Sequence, residues 1–139
     1  MSDPVQVARA LYSAYNERSA SGAVALYDVD AVHSEVARGT RAEGQEAIRR
    51  GLEGFFTLFP DARWVPLDTI ADRGSIAVPY RLTGTLQAPM GPIPARGQRL
   101  HLRGIHVLRT RGSLITASED YWDATTFQAQ MNTNPEGAV

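Results

Sequence analysis

Apolar residues recur every three or four positions in the first sixty residues of this chain, and every second position afterwards. Val5, Ala8, Leu11, Tyr12 and Tyr15 form one stripe at helical spacing. Asp3 supplies an N-cap, and Pro4 a first residue whose missing N–H costs nothing, so a helix is predicted to about residue 16. A short second helix is predicted around 23–27, a first short strand at 31–33 and a loop at 39–44. A third helix follows over about 45–59; its Ile48, Leu52, Phe55 and Phe59 make a bulky face, and Pro60 stops it.

Strands are predicted at 63–70, 75–86, 99–109 and 114–122, separated by Gly- and Pro-rich turns. The connection 87–98 holds Pro89, Pro92 and Pro94 together with Gly91 and Gly97, which marks a structured crossover loop. Asp123 is placed to cap a final helix over 124–131, and 132–139 reads as a loose tail. Helices first and antiparallel strands afterwards predict an α+β fold in which helices cover one face of a strongly bent sheet.

The last two strands carry the candidate chemistry. Side chains alternate across a strand. Leu100, Leu102, Gly104, His106 and Leu108 therefore share one face, with His106 its single polar residue. Gly104 leaves space where something approaches the backbone closely. On the next strand Asp120 stands on the side that also carries Leu114, Thr116, Ser118 and Trp122. A two-residue Gly112-Ser113 turn would pair Arg111 with Leu114 and set His106 opposite Glu119. A three-residue loop, or one bulge, sets His106 directly opposite Asp120, because a one-residue slip exchanges the faces. The second register joins the two faces that each hold an isolated polar residue, and it is the expected one. A carboxyl and an imidazole so placed, with Cβ atoms about 5 Å apart, are in reach of each other or of one ligand.

Plainer roles fit the same residues. His106 alone suits a satisfied core histidine, and Asp120 suits a carboxylate held by Arg103 or by backbone donors. Asp123 reads as a helix cap, and Glu119 and Arg103 as solvated or interfacial. Trp64, Tyr80 and Trp122 are candidates to line an aromatic pocket, joined by Phe55 and His33.

Composition narrows the chemistry. The 139 residues suit one domain, and 43% hydrophobic content is enough for a core. A formal net charge of −1 gives no global field toward nucleic acid or an anionic membrane. The absence of Cys removes thiol nucleophiles, disulfides and thiolate metal sites. No phosphate-binding Gly loop, His-x-x-x-His pair or Gly-x-Ser-x-Gly elbow occurs, and three scattered His make no metal site. Proton transfer by carboxyl and imidazole remains, with no cofactor expected. The start, Met1-Ser2-Asp3-Pro4, has no apolar leader, and no run reaches spanning length, so a cytoplasmic protein is expected.

With these residues in place the chain resembles SnoaL-like polyketide cyclases, within the nuclear transport factor 2-like superfamily. A Leu-Tyr pair, Asp30-Ala31-Val32, Gly44-Gln45-Glu46-Ala47-Ile48 and Phe59-Pro60-Asp61 resemble the family's first half. Thr83-Gly84-Thr85, Met90-Gly91-Pro92-Ile93-Pro94, Gly97, Arg103-Gly104-Ile105 before His106, and Asp120-Tyr121-Trp122-Asp123 resemble its second. The likeness spans about residues 5–131, so one SnoaL-like domain is expected over 1–139. It implies a cone: a curved antiparallel sheet wrapped by N-terminal helices around an apolar pocket. It implies a cofactor-free intramolecular aldol step on a polyketide ester, with Asp120 as acid/base and His106 as the pocket histidine. Ser118-Glu119 and Ser34-Glu35-Val36 depart from the family's common His-Trp and His-Asp-Pro. Isomerases, dehydratases, epoxide hydrolases and pure binding domains share the cone, and epoxide opening on it uses two carboxylates flanking an Arg, for which no second pocket carboxylate is evident.

The expected partner is an apolar small molecule, with no nucleic acid and no membrane. Ile105 and Val107, flanked by Arg, together with Ile115, Ala117 and Tyr121 on the opposite face, predict a homodimer through the sheet.

Overall fold

A computed structural model describes residues 3–135 of the chain. The expectations for Met1 and Ser2 and for the last four residues of the tail lie outside the described residues. Helix α1, Pro4–Asn16, is capped by Asp3, whose carboxylate accepts from the Val5 N–H at 3.0 Å. Its apolar stripe buries Leu11, Tyr12 and Tyr15. Helix α2 spans Ala20–Val24, earlier than the predicted 23–27, because the Ser19 hydroxyl caps it by accepting from the Gly22 N–H. Tyr27 belongs instead to the strand that follows.

That strand, β1, is Tyr27–Glu35, much longer than the 31–33 expected. After a 3-10 turn, Val36–Arg38, comes β2, Thr40–Glu43, where a loop was predicted. Gly39, at φ 66°, makes the reversal possible, and β2 pairs antiparallel with β1. Helix α3, Gln45–Leu58, follows, and its predicted face of Ile48, Leu52, Phe55 and Phe59 turns toward an internal cavity.

The predicted strand 63–70 is two: β3, Arg63–Pro66, and β4, Ile70–Asp72. Pro66 has no N–H for the ladder, and both pieces pair separately with β5, Ser75–Thr85. Strands β6, Arg99–Arg111, and β7, Leu114–Trp122, complete one seven-stranded sheet in the order β2-β1-β7-β6-β5-β3, with β4 also on β5. All pairs are antiparallel except β1 with β7, which run parallel. Helix α4, Ala124–Met131, starts at the expected cap, Asp123.

The hairpin between β6 and β7 resolves the register. Arg111 pairs with Leu114 around a two-residue turn, with Gly112 at φ 62°. A bulge then leaves Thr116 without a partner of its own, since Thr110 pairs with Ile115 and Arg109 with Ala117. His106 consequently faces Asp120, as expected, although through the bulge and not through a longer loop. The same bulge sends Ile115 into the core, fully buried, so it leaves the outer face to which alternation had assigned it.

The core lies between the concave face of the sheet and the helices. Leu11, Ile76, Leu100, Leu108 and Ile115 are buried there, each worth about 1.5–3 kcal/mol of transfer free energy. The crossover 87–98 is pinned by Gln98, a buried amide that donates to the Pro94 and Met131 carbonyls and accepts from the Arg96 N–H. No helix among the described residues is long and apolar enough to cross a membrane.

Candidate active site

Between α3, the concave sheet and the crossover loop lies a cavity of about 610 Å³. Its aromatic wall includes Phe55, Phe59, Trp64, Tyr80 and Trp122, and Met90 and Phe127 border it from the loop and from α4. Trp64 is fixed by Asn16, whose amide donates to the Trp64 carbonyl at 2.9 Å and accepts from its N–H at 2.8 Å. The rings of Phe55 and Trp64 lie 5.5 Å apart, at contact range for aromatic pairs.

Two carboxyl groups line this cavity, Asp120 and Glu35. Asp120, on β7, accepts a 2.7 Å hydrogen bond from the Tyr80 hydroxyl, which crosses from β5 over β6. The crossing is possible because Gly104, which pairs with Tyr80, has no side chain. Burial pushes the Asp120 carboxyl up to about 7, and the neighbouring charge of Glu35 adds to the rise. The Tyr80 bond and His33 act in the opposite direction without cancelling it. Burial and the Asp120 charge together raise the Tyr80 phenol far above its ordinary range, so it stays a donor.

Glu35 is held by two donors. The Trp122 indole N–H reaches Oε1 at 2.9 Å, and His33 Nε2 lies 2.5 Å from Oε2. His33 Nδ1 lies 2.7 Å from Ser118 Oγ, which lies 2.9 Å from Tyr27 Oη. With a neutral imidazole the directions are forced. Nε2–H donates to the carboxylate, Nδ1 accepts from the Ser118 hydroxyl, and Ser118 accepts from Tyr27. Burial raises the Tyr27 phenol to about 12, consistent with that donor role. Ser118, His33 and Glu35 follow the order of a hydrolytic triad, but Ser118 is 1% exposed and off the cavity wall, so it is no nucleophile for a bound ligand.

The structure therefore brings Asp120, His33, Phe55, Trp64, Tyr80 and Trp122 to one cavity. It does not bring His106 there. The ring, 2% exposed, lies behind the wall against Tyr12 and Tyr15, with Nδ1 3.1 Å from Tyr12 Oη. Nε2 has no partner among the described residues. Burial lowers its pKa to about 3, with His33 adding to the effect, so it is neutral at ordinary pH. Asp120 bonds to Tyr80 and His106 to Tyr12, and no hydrogen bond joins the two. A direct part for His106 in proton transfer falls away, because neither its position nor its charge state serves it.

Glu35 is the residue that sequence reasoning missed. Its signal was present two residues after His33, on the same face of any strand continued to residue 35. Among the described residues no group of three or more His, Asp or Glu is placed to hold a metal ion.

The sequence profile of the SnoaL-like domain matches residues 8–118, most of the chain. The chain belongs to the SnoaL-like domain family. Solved structures agree on the fold. A candidate SnoaL-like polyketide cyclase from Jannaschia sp. CCS1 superposes with a TM-score of 0.85 at 14% identity, covering 94% of this chain and 92% of that one. A candidate polyketide cyclase from Xanthomonas campestris pv. campestris gives 0.80 at 21% identity, covering 93% and 96%. AclR, a candidate hydroxylase from Streptomyces galilaeus, gives 0.81 at 18% identity, covering 92% and 94%. At such identities these likenesses carry the fold of this SnoaL-like domain and not its reaction. No curated protein matches the chain by sequence.

Proposed function

We propose that this SnoaL-like domain is a cofactor-independent acid/base catalyst of the polyketide cyclase type, acting on an apolar polycyclic keto ester or related small molecule. One observation carries the reading: a half-buried carboxyl on the wall of an aromatic cavity, with a pKa raised to about 7 and a single side-chain donor, Tyr80. A group so tuned takes and returns a proton near neutral pH, the condition under which acid/base catalysis is most effective.

In the proposed cycle the Asp120 carboxylate removes the acidic proton from a carbon beside a carbonyl. The enolate carbon attacks a second carbonyl of the same molecule, a C–C bond forms, and the new alkoxide takes the proton back from Asp120. No atom is gained or lost. Trp64, Phe55 and Trp122 hold the substrate with its two reacting carbonyl groups close together, a near-attack conformer.

Glu35 gives a specific reason to weigh epoxide opening, which on this fold uses two carboxylates flanking an Arg. Both carboxylates line the cavity. Neither is hydrogen-bonded to an Arg among the described residues, so the cyclase reading is preferred. Asp120→Asn, assayed against a panel of cyclic keto esters, is expected to lower turnover by about 10²–10⁴-fold with ligand affinity retained. Retained turnover in that variant contradicts the role given to Asp120, and ligand binding with no conversion by the wild type leaves a binding domain.

A further inference from the structure

Glu35 and Asp120 are register partners on parallel strands β1 and β7, so their side chains leave the sheet side by side on the concave face. Their surroundings differ. Glu35 has an indole N–H on one oxygen and the His33 ring on the other. Asp120 has the Tyr80 hydroxyl on Oδ1, with the Tyr121 backbone as a weaker influence. A carboxylate with both oxygens occupied by donors is fixed in place as a charge, whereas its neighbour keeps capacity open toward the cavity.

We propose that Glu35 is a positioning residue for Asp120. Anchored by Trp122 and His33 beside Asp120, it adds to burial in favouring the form in which Asp120 holds a proton for a ligand. This rests on the acid/base reading above. A protonated Asp120 beside Glu35 offers its proton to a carbonyl or hydroxyl oxygen of the ligand's reacting end.

The groups that face Asp120 come from every neighbouring element. Glu35 and His33 stand on β1, Tyr80 on β5, Tyr12 on α1, and neutral His106 opposite on β6. Of these, Glu35 is the only carboxylate, and His33 opposes it. The two carboxyls differ in their donors: Glu35 has one on each oxygen, whereas Asp120 has a side-chain donor on one oxygen only.

The test uses the free protein with 13C-labelled aspartate carboxyl groups, followed by NMR from pH 4 to 9. The Asp120 resonance is assigned by its loss in Asp120→Asn. Wild type is expected to titrate near 7. Glu35→Gln and Glu35→Ala, either of which suffices if the other does not fold, are expected to lower that midpoint by roughly one pH unit or more. Glu35→Asp, which keeps the charge, is expected to hold the midpoint near the wild-type value. An unchanged midpoint in a folded Gln or Ala variant overturns the proposal, as does a fall in Glu35→Asp equal to that in Gln. No substrate enters the measurement, so the acid/base reading can fail in the turnover assay while this result stands, and the reverse.

Discussion

The hydroxyl of Tyr80 reaches across the whole width of β6 to Asp120, and it does so over Gly104. A Cβ added at Gly104 would lie 2.5 Å from Tyr80 Cζ and 2.7 Å from the Tyr121 carbonyl oxygen, and the second of these cannot rotate away. Gly104→Ala is therefore expected to destabilise the domain by about 1–3 kcal/mol, read from urea melts. Wild-type stability in this variant would show that Tyr80 does not lie over Gly104.

Tyr80→Phe tests the same contact from its other end. Tyr80 lowers the Asp120 pKa by bonding to the charged form, so removing its hydroxyl is expected to raise the Asp120 midpoint above about 7, while the aromatic packing stays. The labelled-carboxyl titration reads this directly; a lowered midpoint would contradict it.

Asp120 makes the fold less stable at neutral pH. The unfolded chain releases this proton near 3.8, and the folded one near 7, so stability falls as pH rises through that interval. Asp120→Asn is expected to melt higher than wild type at pH 8, and the gain is expected to vanish by pH 4. Thermal melts across the range check it, on a scale on the order of 1.4 kcal/mol for each pH unit between the folded and unfolded values. A variant less stable than wild type at pH 8 contradicts the raised pKa.

His106 works with the opposite slope. Its folded value near 3 lies below the unfolded 6.5, so its contribution is lost as pH falls from 6.5 toward 3. In wild type the two slopes offset each other between about pH 4 and 6.5. Asp120→Asn is therefore expected to lose stability on acidification more steeply than wild type, and His106→Gln less steeply. Parallel curves for all three proteins would contradict both perturbed pKa values at once.

The outer face of the sheet leaves Ile105 and Tyr121 46% and 41% exposed, near Leu67 and a shallow hollow around Gly104. A homodimer through this face is expected, with twice the chain mass by light scattering at micromolar concentration and a monomer for Ile105→Arg. A wild-type monomer under those conditions rejects it.

The last two strands were legible because period two is unmistakable when Leu100, Leu102, His106 and Leu108 alternate with His101, Arg103 and Arg109. Asp120 stood out as a carboxyl on an otherwise weakly polar face. The register around it was not decided by the turn alone, since the bulge at Thr116 has no strong sequence mark. Glu35 was hidden for a different reason. Asp28 and Asp30 are poor strand formers, and Val29 is exposed in β1. Nothing local announces a strand there; it forms because β7 pairs with it, and His33 meets Ser118 across 85 residues of sequence. His106 was found at the right register and on the right face. The helix behind it, which takes the ring away from the cavity, is a tertiary fact that strand alternation does not contain.

The bulge at Thr116 acts as the reading frame of the last strand. Upstream of it, Ile115 belongs to the core; downstream, Ser118, Asp120 and Trp122 do. Deleting Thr116 would leave Thr110 opposite Ile115 and Arg109 opposite Ala117 in an unbroken ladder, with Asp120 and Trp122 still inside; letting Thr116 take a partner of its own would instead set His106 opposite Glu119 and turn Asp120 and Trp122 outward. In evolution and in engineering alike, then, what must be kept is Ile115 and Asp120 on one face, which the loss of Thr116 preserves and its entry into the ladder destroys.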